Sequence, residues 1–165
     1  MPTSATRRAT TAEGALAAPR LALSVQVEPA AGEIPADRSQ LRRWALAALA
    51  TDAALTLRFV GAREGRALNA GFRGRDYATN VLTFAYDASP APGAPVQADI
   101  VICMPVVVRE ARAQKKAVRA HLAHLVVHGV LHAQGLDHED DDEAREMEAR
   151  ETAVLARFRI ADPYR

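Results

Sequence analysis

A single cysteine, Cys103, stands in the whole chain, so no intrachain disulfide can form and a reducing compartment, the cytoplasm, is the simpler expectation. Aromatic residues are scarce, at 5%. Stacking on bases is therefore a minor mode of any nucleic-acid contact, and backbone contact is the main one. No apolar run approaches the roughly 18 residues of a membrane span, so no membrane partner is expected. A large net charge is missing as well, the formal sum being +1. That small number hides a segregation. Residues 139 to 151 hold eight acids against Arg145 and Arg150, a net of −6, so the rest of the chain carries +7. A polyanionic partner would have to meet that other surface.

What is present is an ordinary globular composition: 165 residues, 49% hydrophobic and 25% charged, enough for one domain with a substantial core. Residues 1 to 20 have no hydrophobic periodicity and read as a disordered tail. Their Arg, Ser and Thr content would also suit an organellar transit peptide, and they lack the apolar centre of a secretory signal. Residues 21 to 165 form the domain. Alternation predicts strands over Leu21 to Val27, Ala54 to Val60, Val81 to Tyr86 and Val96 to Cys103, the last two antiparallel because their connection is short. Helices are expected from Asp37 or Ser39 through Leu49, over Ala62 to Asn69 with Leu68 facing in, from Pro105 to Gln114, over Ala117 to Gln134, and from Asp140 to Phe158. Phe72 to Thr79 reads as a polar loop carrying Arg73, Arg75 and Asp76. Strands preceding a run of helices give an α+β class, a mixed four-stranded sheet packed with helices around a central helix.

That central helix carries the chemistry. Val118, Leu122, Leu125, Val126, Val127, Val130 and Leu131 make it apolar nearly all round, which buries it. One stripe is polar: His121, His124, His128 and His132 fall within roughly 80° of one another at 100° per residue. Residues four apart sit one turn above each other, so His128 and His132 can reach one metal ion. Gly135 offers the left-handed residue that ends a helix, and His138 can then come round to the same ion. Three neutral nitrogens with one position open is the pattern of a catalytic zinc, one ion per chain, although such a set also tolerates nickel or copper. His121 lies seven residues before His128, about 10 Å along the axis, too far to share the ion. His124 is near enough for contact with a ligand ring or with substrate. Asp137 can orient the His138 imidazole or act as a base, or it can serve the tight turn.

The spacing H-x-x-x-H-x-x-G-x-x-H also matches the metzincin zinc proteases, with Gly129 where those enzymes carry the glutamate base. A zinc-dependent peptidase or other metallohydrolase is therefore the second reading, and a non-catalytic ribosome-binding protein whose metal only holds the fold is the third. Outside the motif, Arg73 offers paired donors matched to phosphate oxygens. Asn80 opens the third strand and can contact substrate or simply begin that strand. Arg109, Arg112, Lys115, Lys116 and Arg119 form a basic run that can track an RNA backbone or remain a solvated face.

HGVLHAQGLDH, from His128 to His138, closely resembles the signature of the YbeY-type endoribonucleases. LNAGFRGRDYATNVLTF (Leu68 to Phe84) and ADIVIC (Ala98 to Cys103) resemble further blocks of that family, and Met147, Glu151 and Asp162-Pro163-Tyr164 fit downstream. The likeness covers roughly residues 20 to 165. It implies a zinc-dependent, single-strand-specific endoribonuclease acting on ribosomal RNA, in maturation of the 3′ end of 16S rRNA and late ribosome quality control. The ribosome or its small subunit is then the implied partner. It also implies that Arg73 matches an arginine the family needs for activity.

Overall fold

The computed structural model describes residues 17–87 and 91–165. The tail expected over residues 1 to 20 therefore falls mostly outside the described residues. At its end, Arg20 already binds Asp52 through both its backbone N–H and its guanidinium, so fixed contacts begin one residue before the expected domain start.

Four strands, β1 (Leu21–Val27), β2 (Ala53–Val60), β3 (Val81–Ala85) and β4 (Val96–Cys103), form one sheet in the order β1-β2-β4-β3. β1 runs parallel to β2 and β2 to β4, whereas β3 is an antiparallel edge strand on β4, as the short connection requires. Alternation sets the faces. Leu21, Leu23, Leu55, Leu57, Phe59, Ala98, Ile100 and Ile102 are buried on one face, against α1 (Arg38–Ala47) and α4 (Val118–Ala133). The opposite face is covered only in part. There Val60, Leu82, Val101 and Cys103 meet Val106 of α3 (Met104–Ala113) and the partly buried Leu68 of α2 (Ala62–Arg73). Cys103 is thus a buried apolar side chain, and burial pushes its thiol up from the ordinary value.

Caps mark where the helices begin. The Asp37 carboxylate accepts the Gln40 N–H to open α1. Asp140 accepts the N–H groups of Asp142 and Glu143 to open α5 (Asp141–Ala156), and three acids in that first turn suit its positive end. Most of the acidic run is explained by this cap.

The boundary that departs furthest from the sequence reading is the end of α2. α2 continues through Phe72 and Arg73, and the polar loop starts only at Gly74, whose φ of 67° gives the helix a left-handed end. The extra turn is held by tertiary contact, the Phe72 ring meeting Phe84 of β3 edge-on at 4.9 Å. Arg73 therefore projects from a helix end and not from a loop.

α4 is the central layer. Ten of its residues are buried, and it packs against α1, α3, α5, β3 and β4. Gly129 is what allows the close approach to the sheet: a Cβ there would lie 2.8 Å from Ile100 Cγ2 and 3.5 Å from Thr83 Oγ1. Alanine at 129 should therefore destabilise the fold. Overpacking a tight site costs about 1–3 kcal/mol, against a helix-propensity gain of about 1 kcal/mol, leaving a net loss of up to about 2 kcal/mol. Urea denaturation of Gly129→Ala measures this, and equal or higher stability would show that Ile100 yields freely.

Candidate metal centre

α4 ends in a motif that aims the third histidine. Gly135 takes φ 96°, its N–H reaches the His132 carbonyl at 3.0 Å, and the Leu136 N–H reaches back to Leu131 at 3.3 Å. These are the two bonds of a Schellman turn, and Leu136 packs against the core beyond it. The chain reverses, and His138 faces the helix it has just left. Ring centres of His128 and His132 are 6.4 Å apart, of His132 and His138 6.3 Å, and of His128 and His138 5.6 Å.

Hydrogen bonds decide which nitrogens remain. His132 Nδ1 lies 2.9 Å from the Leu136 carbonyl, which only accepts, so Nδ1 carries the proton and Nε2 holds a lone pair in the neutral ring. His128 Nδ1 lies 2.5 Å from Glu151 Oε1. Glu151 is fully buried on α5, and burial alone would raise its pKa. Hydrogen bonds from His124, His128 and Tyr164 outweigh that and hold it down at about 2, so it is an ionised acceptor. His128 is thereby fixed in the same tautomer as His132. Such outer partners set both ring orientation and ligand basicity.

The tightest group of potential ligand atoms is a different one, His124, His128 and Glu151, all within 4.8 Å of one another. Glu151 is already committed there, accepting from His124 Nε2 at 3.0 Å, from the Tyr164 hydroxyl and from His128. An ion in that position would have to displace donors from a buried carboxylate, a costly exchange. The three-imidazole set would displace no donor from a buried carboxylate. Nitrogens held about 2.0–2.1 Å from one ion at tetrahedral angles lie roughly 3.3 Å apart. The three rings do not bring their nitrogens within 4.8 Å of one another, so the triangle must close by more than about 1 Å to share an ion. A cavity of about 300 Å³ opens beside it, lined by His128, His138, Glu148, Glu151 and Tyr164. The residues present therefore suit a zinc-type ion.

The other expected site residues divide. Asp137 Oδ1 accepts the backbone N–H of His138 at 2.8 Å, the turn role; the carboxylate on a candidate ligand ring is Glu151. Asn80 uses both ends of its amide, donating to Glu110 at 3.2 Å and accepting the Val81 N–H at 2.6 Å, so it begins its strand. Lys116 Nζ donates to the Pro163 carbonyl at 2.7 Å. Lys115 is exposed, in a left-handed conformation with φ 54°. Arg73 is exposed and, among the described residues, makes no hydrogen bond or ion pair. It lies across β3 from the histidines: Phe72 beside it touches Phe84, while Thr83, on the strand's other face, lies against Gly129. His121 and His124 are outside the triangle: His121 is buried, and His124, its ring centre 6.3 Å from that of His128, is bonded to Glu151 and Tyr164.

Glu151 entered the sequence reading only through a resemblance, and Tyr164 likewise. A direct signal was available. Met147, Glu151 and Leu155 are buried at successive four-residue steps of α5, an acid set inside an apolar stripe.

The fold and the ring triangle define an α+β domain with a histidine-built cleft. The family model described as Endoribonuclease YbeY matches residues 31–159, and the chain belongs to that family. An Endoribonuclease YbeY of Azoarcus sp. is 57% identical over 152 residues, covering 88% of this chain and 60% of the relative. One of Cupriavidus pinatubonensis is 57% identical over 150 residues, covering 89% and 73%. One of Paraburkholderia phymatum is 55% identical over 152 residues, covering 89% and 97%. The chain thus spans less than two thirds of the Azoarcus relative and nearly all of the Paraburkholderia one. A solution structure of a Thermotoga maritima protein aligns over 83% of this chain and 91% of its own, with 24% identity and a TM-score of 0.49. No helix among the described residues is long and apolar enough to cross a membrane.

Proposed function

We propose that the protein is a zinc-dependent, single-strand-specific endoribonuclease of the cytoplasm. Its substrate is ribosomal RNA, at the 3′ end of 16S rRNA and in late ribosome quality control, with the ribosome or its small subunit as partner. The observation that carries the metal reading is the pair of fixed tautomers: His128 and His132 each have Nδ1 tied to an acceptor, leaving Nε2 as the ligand atom. His138 completes the set, for one ion per chain. The relatives' shared description as endoribonucleases supplies the substrate class.

When bound, the ion supplies Lewis acidity to a phosphoryl oxygen and acidifies water. Glu151 holds the His128 ring in place and keeps its proton on Nδ1. Arg73, unpaired among the described residues, offers its donors to the phosphate as charge develops there. Of the expected substrate contacts Asn80, Lys115 and Lys116, Lys115 is the one left to meet the RNA backbone, since the other two are occupied within the protein. Asp137 has one oxygen in the turn and its other oxygen left to take a proton, which keeps it as the assigned base.

The peptidase reading loses ground on Gly129. The residue that would bear its carboxylate base faces Ile100 and the sheet, away from the imidazole triangle. Incubating metal-loaded protein with unstructured RNA, structured RNA and casein, each with and without chelator, tests the choice. Cleavage of unstructured RNA alone, abolished by chelator, is expected. Chelator-resistant cleavage would remove the metal from the reaction, and casein cleavage would restore the peptidase.

A further inference from the structure

One turn of α4 before the imidazole triangle, a second cavity of about 350 Å³ opens between α4 and the segment 160–165. Its lining joins an apolar part, Ala117, Ala120, Ile160 and Pro163, to charged side chains, Lys115, Lys116, Arg165 and the carboxylate of Asp162. Two imidazoles line it as well. His121 is 4% exposed and neither of its ring nitrogens has a hydrogen-bond partner, the nearest being Glu110 Oε2 at 3.7 Å from Nε2. His124 Nδ1 is buried there without a partner as well, and because its Nε2 serves Glu151, Nδ1 holds the lone pair of a neutral ring. Burial depresses His121 against the pull of Glu110, so it stays neutral and presents one N–H and one lone pair. At the mouth stands Lys115, exposed and held in a left-handed backbone that lysine adopts only at a cost.

An apolar part, two imidazoles offering a donor and acceptors, and cations that outnumber the one carboxylate fit a nucleobase with its phosphate. We propose that this cavity is a nucleobase subsite, holding the base of an unpaired nucleotide beside the cleaved bond, with its edge on His121 and His124 and its phosphate at Lys115. The inference rests on the endoribonuclease reading for its source of nucleotide. The same chemistry also belongs to a free mononucleotide. No residue lines both cavities, but His124 lines this one and His128 the other, their ring centres 6.3 Å apart, so the base and the reacting phosphate would belong to neighbouring nucleotides.

The test uses the full chain, metal-loaded, with short single-stranded oligoribonucleotides carrying one abasic residue at each position in turn. Binding by fluorescence anisotropy and cleavage are read separately. One position should lose at least about fivefold in affinity when abasic, the scale of a seated base. His121→Phe keeps the volume and removes the polar edge, so preference among the four bases at that position should vanish with metal content unchanged. Ala117→Trp, at an exposed position of the wall, should remove the abasic penalty itself. A flat abasic profile in the wild type, or a preference that survives both variants, overturns the subsite. Tight binding of AMP, CMP, GMP or UMP with no base dependence in the oligonucleotides assigns the cavity to free nucleotide and overturns it too. Base-dependent binding without cleavage leaves the subsite standing and sinks the nuclease reading instead.

Discussion

Alanine at His128, His132 or His138 should each drop bound zinc well below one ion per chain, measured by elemental analysis after dialysis, and should abolish cleavage with it. The structure grades what lies around these three. Glu151→Gln keeps the volume but replaces the ionised acceptor on His128, so zinc affinity should fall about 10–100-fold, the usual range for a partner behind a ligand. Glu151→Ala goes further. It leaves His124, His128 and the Tyr164 hydroxyl without their acceptor, and each unsatisfied buried donor costs about 1–3 kcal/mol. That variant should therefore melt early even in the absence of metal. His121→Ala should leave zinc content unchanged, since His121 stands outside the triangle. If Glu151→Gln binds zinc as tightly as the wild type, the orienting role of Glu151 is wrong. If His124→Ala and Glu151→Ala lose zinc while His132→Ala and His138→Ala retain it, the ion sits in the other cluster.

Arg73→Glu should abolish RNA cleavage while zinc content and melting temperature stay as in the wild type. The side chain is exposed at the end of α2 and holds nothing else in place among the described residues. A donor lost from charge developing in the transition state costs about 10²–10³ in rate, and reversing its charge costs more. Arg73→Lys should recover only part, because a point charge lacks the paired donors. RNA binding at moderate salt should weaken far less than cleavage, since other basic residues share that contribution. Equal losses in binding and cleavage would make Arg73 a docking residue. No change in either would remove it from the site.

Much of this was readable before any coordinates. β1 and β4 fall on their expected residues because alternation over seven or eight residues has one interpretation. The His stripe of α4 and its turn at Gly135 followed from spacing alone. What escaped depends on contacts remote in sequence. The last turn of α2 was read as loop because Arg73, Arg75 and Asp76 cluster there; Phe84, a strand away, holds it helical. The order β1-β2-β4-β3 was not legible either. A strand that inserts in the chain between two parallel neighbours and then pairs outside them leaves no local mark. Asp137 was weighed as the orienting carboxylate because it adjoins His138. The carboxylate found on a candidate ligand ring is Glu151, and it holds His128, 23 residues away, not His138.

The three imidazoles do not share one mechanical footing. Two ride on a helix clamped at Gly129 against the middle of the sheet, among the most deeply buried residues of the domain. The third sits on an exposed reversal of a few residues, between the end of α4 at Ala133 and the start of α5 at Asp141. If the proposed ion binds these three rings, its release would be a local opening and not an unfolding, the reverse of a zinc finger, whose whole fold depends on its ion. The sheet would keep two ligands waiting in place, and the entropy of capture would fall on one short segment whose closure is inexpensive.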